Sequence, residues 1–400
     1  MKNSVAIIAP CTRPVPPIKG GGVQIGIYEV TKHFKKYKPY VFSIDDENLP
    51  EHQTIGNTEY FHINVNKTSI FKRFIYSFSL KEYIYYCSQI ANKINRLKPD
   101  IIHIRVNPWF VTQIKKRLKY NPKIILQHHT CPLNKSFKTW ELKRLLKKID
   151  LFTGVSKFVV DTEVIKRLPN YKDMTKVIYN GINHDQFSPL WQNDDKRMKL
   201  RREAGILDDE ILLLYVGQIR ADKGVLSVVK AFETLLGSHS NIKLMIIGSA
   251  SGGNDNPNNR QQKFFDEFNL HIKQLPSKKV IQQGFISRKE IQNIFLMGDI
   301  FCAPSIVTET FGLVIAEAMA TGLPIITSNK GGIPEVIGDT GFVTTRPEEP
   351  DDIIMYANQL IADKKLRLDC GKKAFNRIIE NFTWEITAQR TEEIYDQLLK

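Results

Sequence analysis

The sequence predicts an α/β protein of two Rossmann-like domains, because strand-like and helix-like segments alternate along it and the pattern starts again near its middle. Short apolar runs at residues 5–10, 100–105 and 123–127 are typical of buried strands and have helix-like segments between them. The run at 211–216 opens a second series of the same kind. Strands that alternate with helices indicate parallel sheets with helices on both faces. A chain of 400 residues is long enough for two domains, each with its own core.

The boundary between the two domains is predicted near residue 188. Residues 176–189 contain a strand, a tight Asn-Gly turn and an irregular stretch bounded by proline, which is typical of a domain boundary. We therefore expect an N-terminal domain at residues 1–188 and a C-terminal domain at 189–380. The chain has helical patterns from residue 351 onward, and residues 381–400 are predicted to form a C-terminal helix.

The composition indicates a globular protein, with 42% hydrophobic and 25% charged residues. Its five cysteines are scattered without a CxxC pair, which argues against a zinc site or a disulfide framework and suits a reducing compartment. No apolar run approaches the roughly 18 residues that a membrane helix needs. The sequence therefore predicts a soluble, cytoplasmic protein.

Much of the net charge of +15 lies between residues 115 and 148, where only Glu141 opposes the cations. The cations are Lys115, Lys116, Arg117, Lys119, Lys123, Lys135, Lys138, Lys143, Arg144, Lys147 and Lys148. Such a run is most often a solvated face. The alternative is peripheral contact with anionic lipid headgroups at the inner face of the membrane, or with an acidic acceptor polymer, since basic surfaces attract both.

The most informative stretch is residues 304–324, which the apolar pattern predicts to be a loop and a helix between two buried strands. The helix is expected to start near Thr310 or Phe311 and is apolar around most of its circumference, so it is predicted to be buried. Glu317 lies in the middle of this helix. A buried carboxylate is costly unless it has a partner. The sequence therefore predicts a partner or a ligand for Glu317.

Glu309 precedes the same helix and is separated from Glu317 by roughly 10 to 12 Å, at about 1.5 Å per residue. The free amides at the helix N-terminus, with the helix dipole, form an anion site, and Gly312 allows a phosphate to approach the backbone. One nucleotide sugar could place its diphosphate on the amides, a sugar hydroxyl on Glu309 and a ribose hydroxyl on Glu317. The alternative is that Glu309 caps the helix and Glu317 pairs with a neighbouring lysine. The amides expected to bind are those of Thr310, Phe311, Gly312 and Leu313.

This stretch resembles the Glu-x7-Glu signature of family-4 glycosyltransferases, in the form Pro-Ser-x-x-x-Glu-x-Phe-Gly-Leu-Val-x-x-Glu-Ala-Met-Ala-x-Gly-x-Pro. The resemblance implies the GT-B fold, in which two Rossmann-like domains face each other across a cleft and the second holds the donor. It also implies transfer of a sugar from a nucleoside diphosphate to an acceptor hydroxyl, with retention at the anomeric carbon. A UDP-sugar is the expected donor, and the expected acceptor belongs to a cell-surface polysaccharide or a lipid-linked precursor. No nucleic-acid partner is expected.

Residues 217–224 place two cations between glycines at the end of a strand, which suits a diphosphate and the charge of a leaving nucleotide. This loop resembles the family element Gly-Arg-x-x-x-x-Lys-Gly. Lys223 matches its lysine, but Gln218 stands in place of its arginine, and Arg220 lies two residues further on. The resemblance implies that Gly217, Arg220 and Lys223 contact the donor phosphates.

Two further features follow strands of the first domain. The glycines near residues 20–22 do not have the GxGxxG spacing of dinucleotide-binding proteins. They resemble the family loop beside the donor phosphates and the acceptor, which implies a role for Gly21 and Gly22. His129 resembles the family histidine that contacts the sugar near its reacting carbon, although the adjacent His128 leaves the register open. His103 is expected to be structural.

The resemblance assigns the remaining roles. Glu309 orients the sugar, Glu317 fixes the ribose, the backbone at Phe285 lies by the base, and the C-terminal helix packs back on the first domain. Lys223, Arg220 and the helix amides neutralise the departing diphosphate, while His129 lies by the reacting centre. Because an Asp-x-Asp motif is missing from the sequence, we expect no metal cofactor. Two alternatives remain, namely a nucleotide-sugar epimerase of the same fold and a structural or assembly protein that has lost turnover.

Overall fold

The computed structural model describes residues 3–65, 80–249 and 259–400, and within these ranges the chain divides into two compact units. Unit 1 consists of Met1–Gly181 with Trp384–Lys400, and unit 2 of Ile182–Thr383. The boundary lies seven residues before the expected one, because the Ile182 amide already donates a hydrogen bond to the Phe382 carbonyl at 2.7 Å. The sequence pattern also predicts an amphipathic segment at residues 71–97 and a polar loop at 249–259, and parts of both lie outside the described residues.

Unit 1 contains an eight-stranded sheet in the order β3-β4-β2-β1-β5-β6-β7-β8. Its strands are β1 (Ser4–Ile8), β2 (Lys38–Ile44), β3 (His52–Ile55), β4 (Thr58–Ile63), β5 (Ile101–Arg105), β6 (Lys123–His128), β7 (Leu151–Gly154) and β8 (Thr175–Val177). All neighbouring strands are parallel except β3 and β4, which form an antiparallel pair at the sheet edge. The sequence did not predict β3, which is short and mostly exposed.

The helices of unit 1 cover both faces of this sheet. They are α1 (Gly22–Lys32), α2 (Leu80–Leu97), α3 (Pro108–Lys115), α4 (Pro132–Ser136), α5 (Thr139–Leu146) and α6 (Lys157–Val160), which continues into a π-helical turn at Asp161–Ile165. Apolar residues of α2, α3 and α5 form one core with the sheet, and those of α1 form another on the opposite face. These two cores are what the alternation of buried strands and amphipathic helices predicts.

Unit 2 contains a six-stranded parallel sheet in the order β11-β10-β9-β12-β13-β14. The strands are β9 (Ile211–Val216), β10 (Ile242–Ile247), β11 (Val280–Gln283), β12 (Ile300–Ala303), β13 (Ile325–Ser328) and β14 (Phe342–Thr344). The helices are α7 (Asp194–Glu203), α8 (Val225–Leu236), α9 (Asn259–Gln274), α10 (Ile291–Met297), α11 (Leu313–Ala320), α12 (Ile333–Ile337), α13 (Asp351–Ala362) and α14 (Lys364–Asn381). The two sheets confirm the predicted α/β class with two Rossmann-like units.

The last helix, α15 (Trp384–Leu399), lies in unit 1 and packs beside α1. Tyr395 is fully buried there, with its ring edge-on to Tyr37 at 5.1 Å between ring centroids. A Cβ on Gly181 would lie 2.5 Å from the Trp384 ring, so only glycine fits beside this indole. Among the helices in the described ranges, none combines the length and apolar content needed to cross a membrane.

Candidate active site

Two loops of unit 2 are locked together at the carboxyl ends of the neighbouring strands β9 and β12. Gly224 has φ +72°, and a Cβ there would lie 2.0 Å from the Pro304 carbonyl oxygen, so the close approach requires glycine. The amides of Ile306 and Val307 both donate to the Asp222 carbonyl at 3.0 Å. These contacts fix the loop that carries Lys223 against the loop that carries Glu309.

Lys223 and Glu309 are in direct contact. Lys223 Nζ lies 2.5 Å from Glu309 Oε1, and the Ser305 hydroxyl donates to the same oxygen at 3.3 Å. The two charged side chains are 23% and 29% exposed, so the pair is open to solvent and to a ligand on one side. Burial, and then the Glu309 charge, raise the pKa of Tyr215 beneath the pair. The structure therefore brings together two residues that the sequence placed 86 positions apart.

The helix after Glu309 starts later than predicted. Gly312 is its N-cap and has the left-handed φ of +92°, so the helix begins at Leu313 and not near Thr310 or Phe311. The Gly312 carbonyl already accepts hydrogen bonds from the Ile315 and Ala316 amides at 3.1 Å. The amides that open the first turn are consequently those of Leu313 and Val314.

Thr310 and Phe311 precede the helix, and the expected binding of an anion by their amides stays a prediction. The Phe311 ring is buried against Phe382, with ring centroids 5.8 Å apart, and Thr310 precedes the helix. The cap of α11 is Gly312 without a side-chain cap hydrogen bond, which overturns the alternative that Glu309 caps the helix.

Glu317 is buried in α11, with 6% of the residue exposed. Its partner is Arg288 and not a lysine, and Arg288 Nη2 lies 3.0 Å from Glu317 Oε1. Apart from this ion pair, Glu317 Oε1 has no hydrogen-bond partner among the described residues. Burial raises the pKa of Glu317, while the Arg288 charge acts to lower it. The carboxylate thus keeps capacity to accept a hydrogen bond.

Arg220 is turned toward its own loop. Its guanidinium pairs with Asp222, and Arg220 Nη1 lies 3.4 Å from Gln218 Oε1. Its side chain is 44% exposed. Close by, a Cβ on Gly217 would lie 2.9 Å from the Tyr215 hydroxyl, which itself donates to the Gln218 carbonyl at 2.9 Å. The structure therefore places Arg220 beside the site residues of its own loop, paired with an acid that the sequence reasoning did not consider.

Phe285 follows β11 and is 82% exposed, so its ring is free to stack on a planar ligand. The following Arg288 was missed by sequence reasoning. Its carbonyl accepts a hydrogen bond from Gln186 Nε2 at 2.6 Å, which fixes the backbone of the segment. Arg288 is of interest because it lies beside the buried carboxylate of Glu317. The sequence does not show that the two residues are close.

In unit 1 the glycine-rich loop ends at the N-terminus of α1. The sequence pattern predicts a helix over residues 23–36, whereas in the structure Gly21 is the N-cap with φ +103° and Gly22 is the first helical residue. The helix ends at Lys32 and not at Lys36. Arg13 Nη1 donates to the Lys19 carbonyl at 3.0 Å and closes the loop.

The structure separates the roles of the two adjacent histidines. His128 ends β6, is fully buried, and donates from Nδ1 to Glu163 at 2.9 Å. Glu163 lies in the π-helical turn and also accepts hydrogen bonds from the Leu133 and Asn134 amides at 3.0 Å each. His128 is therefore held as part of the fold, by a carboxylate that the sequence reasoning missed.

His129 follows the end of β6 and is half-buried. Arg105 Nη1 donates to His129 Nε2 at 3.3 Å. The loss of water around its ring, and then the charges of Arg105 and His128, hold the pKa of His129 well below its usual value. His129 is thus a neutral imidazole at the carboxyl edge of the sheet, where a ligand of unit 1 can reach it.

Several basic residues of 115–148 lie in or next to α3 and α5. Trp109 and Trp140 are exposed among them, at 67% and 60%. Lys115 Nζ donates to the Lys148 carbonyl at 2.8 Å, which links the ends of the two helices. Three cations, Lys143, Arg144 and Lys147, share with Trp140 the spacing of one face of α5.

Two family models match the chain, Glycosyltransferase Family 4 over residues 20–186 and Glycosyl transferases group 1 over residues 196–377. The chain is 29% identical over 398 residues to the putative glycosyltransferase YtcC of Bacillus subtilis, covering 97% of this chain and 91% of the relative. It is 26% identical over 404 residues to the spore coat protein SA of the same organism, covering 98% and 99%.

A third relative is the lipopolysaccharide 1,2-N-acetylglucosaminetransferase of Salmonella typhimurium, 28% identical over 390 residues, with 95% and 94% coverage. Among solved structures, a glycosyltransferase from Rickettsia africae has a TM-score of 0.77 at 23% identity, covering 100% of this chain and 99% of that one. Anabaena Alr3699/HepE in complex with UDP has a TM-score of 0.73 at 19% identity, covering 99% and 100%. These two similarities show the fold.

Proposed function

The chain belongs to the family-4 glycosyltransferases, and from that premise we propose that it transfers a sugar from a UDP-sugar to an acceptor hydroxyl, with retention at the anomeric carbon. The observation that carries the proposal is the contact between Lys223 and Glu309, at 2.5 Å, in front of the helix that contains the buried Glu317. Two pre-placed charges and an amide-rich helix N-terminus suit a ligand with a sugar, a diphosphate and a ribose.

In this proposal the diphosphate binds to the Leu313 and Val314 amides and to Lys223. Glu309 holds the ammonium group of Lys223 in place and accepts a hydrogen bond from a sugar hydroxyl. Glu317 accepts a hydrogen bond from a ribose hydroxyl through the oxygen that has no hydrogen-bond partner in the described residues. The exposed Phe285 lies after β11 and contacts the base.

The proposed chemistry depends on charge stabilisation. As the bond between sugar and diphosphate breaks, negative charge grows on the leaving oxygen, and Lys223 with the helix amides stabilises it. The sugar acquires oxocarbenium character, and the acceptor hydroxyl attacks from the side of the leaving group. In unit 1, His129 is proposed to act as a neutral hydrogen-bonding group for a substrate, and Gly21 and Gly22 are proposed to form a loop that contacts a substrate.

To bind the phosphates, Arg220 must leave its present partner, Asp222. Its ion pair with Asp222 is 44% and 30% exposed, and such a pair contributes about 1 kcal/mol or less. A diphosphate can compete with that pair. The proposed contribution of Arg220 is therefore smaller than that of Lys223.

The donor sugar and the acceptor are the finer part of the proposal. One relative is named for transfer of N-acetylglucosamine to lipopolysaccharide, which supports a UDP-linked sugar and an acceptor in a cell-surface polysaccharide or glycoconjugate. No metal cofactor is proposed, and we expect the transfer rate to be unchanged by EDTA. A loss of activity in EDTA that added Mg²⁺ restores would refute that expectation.

The test is to incubate the protein with UDP-N-acetylglucosamine, UDP-glucose, UDP-galactose and GDP-mannose and with lipid-linked and oligosaccharide acceptors. Glycosylated product with retained anomeric configuration supports the proposal. Free nucleotide without such a product would indicate the epimerase alternative. Nucleotide binding without turnover would indicate an assembly protein. We retain this alternative because one relative is named as a spore coat protein.

We further propose that the exposed face of α5 contacts anionic lipid at the inner face of the membrane. Trp140 shares this face with Lys143, Arg144 and Lys147, and Trp109 of α3 is exposed nearby. Indole rings beside cations suit the headgroup region of a bilayer. Each cation near an anionic surface contributes about 1 kcal/mol.

Vesicle sedimentation tests the membrane contact. Vesicles that contain phosphatidylglycerol should bind the protein and vesicles of phosphatidylcholine should not, and Trp140→Ala or Lys143→Glu with Arg144→Glu should weaken binding. Binding that is the same for both vesicles, or unchanged in these variants, would refute it. Binding to an acidic polysaccharide but not to vesicles would point to the acceptor polymer.

A further inference from the structure

A cluster of buried polar side chains lies at the carboxyl ends of β5 and β6 in unit 1. Arg105 is the last residue of β5 and is 3% exposed. In the parallel pair of strands it is in register with Gln127, and alternation along the strands brings His103 and His129 to the same face. The Tyr395 hydroxyl lies 2.6 Å from His103 Nδ1.

Arg105 has no carboxylate partner within the described parts of the chain. Within those parts, the hydrogen bond of its side chain is the 3.3 Å contact with His129. Burial lowers the pKa of Arg105 to about 10, so the guanidinium remains charged at neutral pH. A buried charge of this kind is normally paired, because leaving it without a counter-charge is costly.

Other atoms of the cluster are also unsatisfied. Arg105 Nε, Gln127 Oε1 and His103 Nε2 are buried and make no hydrogen bond to any described residue. Buried polar atoms are nearly always hydrogen-bonded in native proteins, so such a group of exceptions points to a ligand or bound water. Both kinds of occupant are polar, and only an anion also offsets the charge of Arg105.

The backbone next to Arg105 is strained. Val106 has φ +69°, which a β-branched residue rarely adopts, and its amide donates to the Gln127 carbonyl at 2.7 Å. This turn ends β5 immediately after Arg105. Backbone strain of this kind is concentrated at binding and catalytic sites.

We propose that Arg105 and His129 form a subsite for an oxyanion, a carboxylate or a phosphate, carried by a substrate. The half-buried His129 forms the opening of the subsite, and the guanidinium lies behind it. Arg105 would donate to the oxyanion, as guanidinium groups do with carboxylates and phosphates. The inference rests on the proposed function, since the substrate is the sugar donor or the acceptor.

The two sources of the oxyanion are distinct in chemistry. The first is the carboxylate of a uronic acid in the donor. The second is a phosphate or carboxylate on the acceptor. Inorganic phosphate is the probe for the subsite itself, and UDP-glucuronic acid against UDP-glucose is the probe for the first source.

Thermal unfolding of the wild type, Arg105→Met and Arg105→Lys tests the subsite. Without ligand, Arg105→Met should unfold at the same or a higher temperature than the wild type, because it removes a buried charge that has no counter-charge. Inorganic phosphate should stabilise the wild type, and its dissociation constant should rise about tenfold or more in Arg105→Met. Arg105→Lys keeps the charge and should retain part of the response.

Lys223→Ala separates this subsite from the proposed donor site, because phosphate binding at Arg105 should persist when the Lys223 side chain is removed. Two results would overturn the inference: marked destabilisation of Arg105→Met without ligand, which would mean that the fold itself satisfies the guanidinium, or an equal phosphate response in wild type and Arg105→Met. UDP binding measured on the same proteins tests the proposed function independently. If UDP stabilises Arg105→Met as much as the wild type, a failed phosphate test would refute the subsite and leave the proposed function intact.

A comparison of the binding of the two nucleotide sugars identifies the source of the oxyanion. If the donor supplies the oxyanion, Arg105→Met should weaken the binding of UDP-glucuronic acid about tenfold and leave the binding of UDP-glucose unchanged. If the acceptor supplies it, both nucleotide sugars should bind equally well to the variant and the wild type while the phosphate response is lost.

Discussion

The cations at the carboxyl edges of the two sheets differ in whether they have a carboxylate partner. In unit 2, Lys223 pairs with Glu309, Arg220 with Asp222 and Arg288 with Glu317. In unit 1, Arg105 is buried more deeply than any of these three cations and has no carboxylate partner in the described residues. The first edge is balanced in charge before a ligand arrives, and the second is not.

This difference indicates two kinds of recognition. The Lys223–Glu309 and Arg220–Asp222 pairs of unit 2 retain some exposure on both partners, so a ligand can share or exchange partners there at a small cost in free energy. Its binding then depends on hydrogen-bond geometry, including the first-turn amides of α11. At the edge of unit 1 an anion would meet a cation that has no carboxylate partner in the described part of the chain, so we expect charge to dominate recognition there.

Breaking the Lys223–Glu309 pair should have the largest effect. Lys223→Ala and Glu309→Ala are each expected to lower the transfer rate by about 10²- to 10³-fold, the range for removal of a group that stabilises the developing charge. Both variants should remain folded, because the pair is partly exposed. Initial rates with saturating donor, and thermal unfolding, provide the measurements.

Lys230→Ala is the matched control for Lys223→Ala. Lys230 lies on α8 and pairs with Glu267 at 2.7 Å, away from the proposed site. Its substitution should leave the transfer rate unchanged. Wild-type rates in both Lys223→Ala and Glu309→Ala would refute the site assignment.

Removing Arg288 should weaken donor binding in a pH-dependent way. Burial already raises the pKa of Glu317, and loss of the Arg288 charge would raise it further. In Arg288→Met a larger fraction of the carboxylate is therefore protonated at a given pH, and KM for the donor should rise about tenfold as a charged hydrogen-bond acceptor is lost. The rise should be larger at pH 6 than at pH 8.

Arg288→Lys keeps a positive charge near Glu317 and is the control for this experiment. It should show a smaller increase in KM and a weaker pH dependence. A KM in Arg288→Met that equals the wild-type value at every pH would contradict the proposed ribose contact.

The buried histidines of unit 1 should make the protein sensitive to acid. Burial holds the pKa of His103 well below its usual value, so below about pH 6.5 the unfolded chain binds a proton that the folded chain does not. Stability is therefore lost as the pH falls, by up to about 1.4 kcal/mol per pH unit for each such group. Urea unfolding at pH 7.5, 6.5 and 5.5 measures this loss.

His103→Gln removes the titrating group and keeps a hydrogen-bonding side chain. The slope of stability against pH should be shallower in this variant than in the wild type. Equal slopes would mean that His103 is protonated in the folded state, contrary to its burial.

Arg220→Ala should have the smallest effect on catalysis. Arg220 already pairs with Asp222 at the surface, so we expect a decrease in rate of only a fewfold, in line with an exposed ion pair worth about 1 kcal/mol. The same assay used for Lys223→Ala measures it. A loss as large as that of Lys223→Ala would show that Arg220 leaves Asp222 fully and replaces the family arginine.

Much of this architecture could be predicted from the sequence, because buried strands and amphipathic helices leave local patterns. Lys223, Glu309 and Glu317 lie in continuous motifs and could therefore be singled out from the sequence, and their role in the site stays a prediction. The start of α11 was predicted too early, because the left-handed conformation of Gly312 excludes the preceding residues from the helix. That conformation depends on the packing of the loop and is not fixed by the glycine alone.

Arg105, Glu163 and Arg288 could not be predicted, because their meaning depends on partners far along the chain. Arg288 contacts a residue 29 positions away, and Glu163 contacts one 35 positions away. No local pattern marks such contacts. Arg105 was visible as a cation at the end of an apolar strand, but the lack of a carboxylate partner becomes visible only when the surrounding residues are placed.

The central claim is that a nucleoside diphosphate binds at the edge of the unit 2 sheet, and calorimetric titration of UDP into the wild type and variants tests it most directly. UDP should bind the wild type and Lys230→Ala equally, and bind Lys223→Ala and Glu317→Ala at least about tenfold more weakly. At a hundred times its dissociation constant it should stabilise the wild type by about 2.7 kcal/mol. Failure of UDP, GDP, ADP and dTDP to bind, or equal affinity in all four proteins, would contradict the claim.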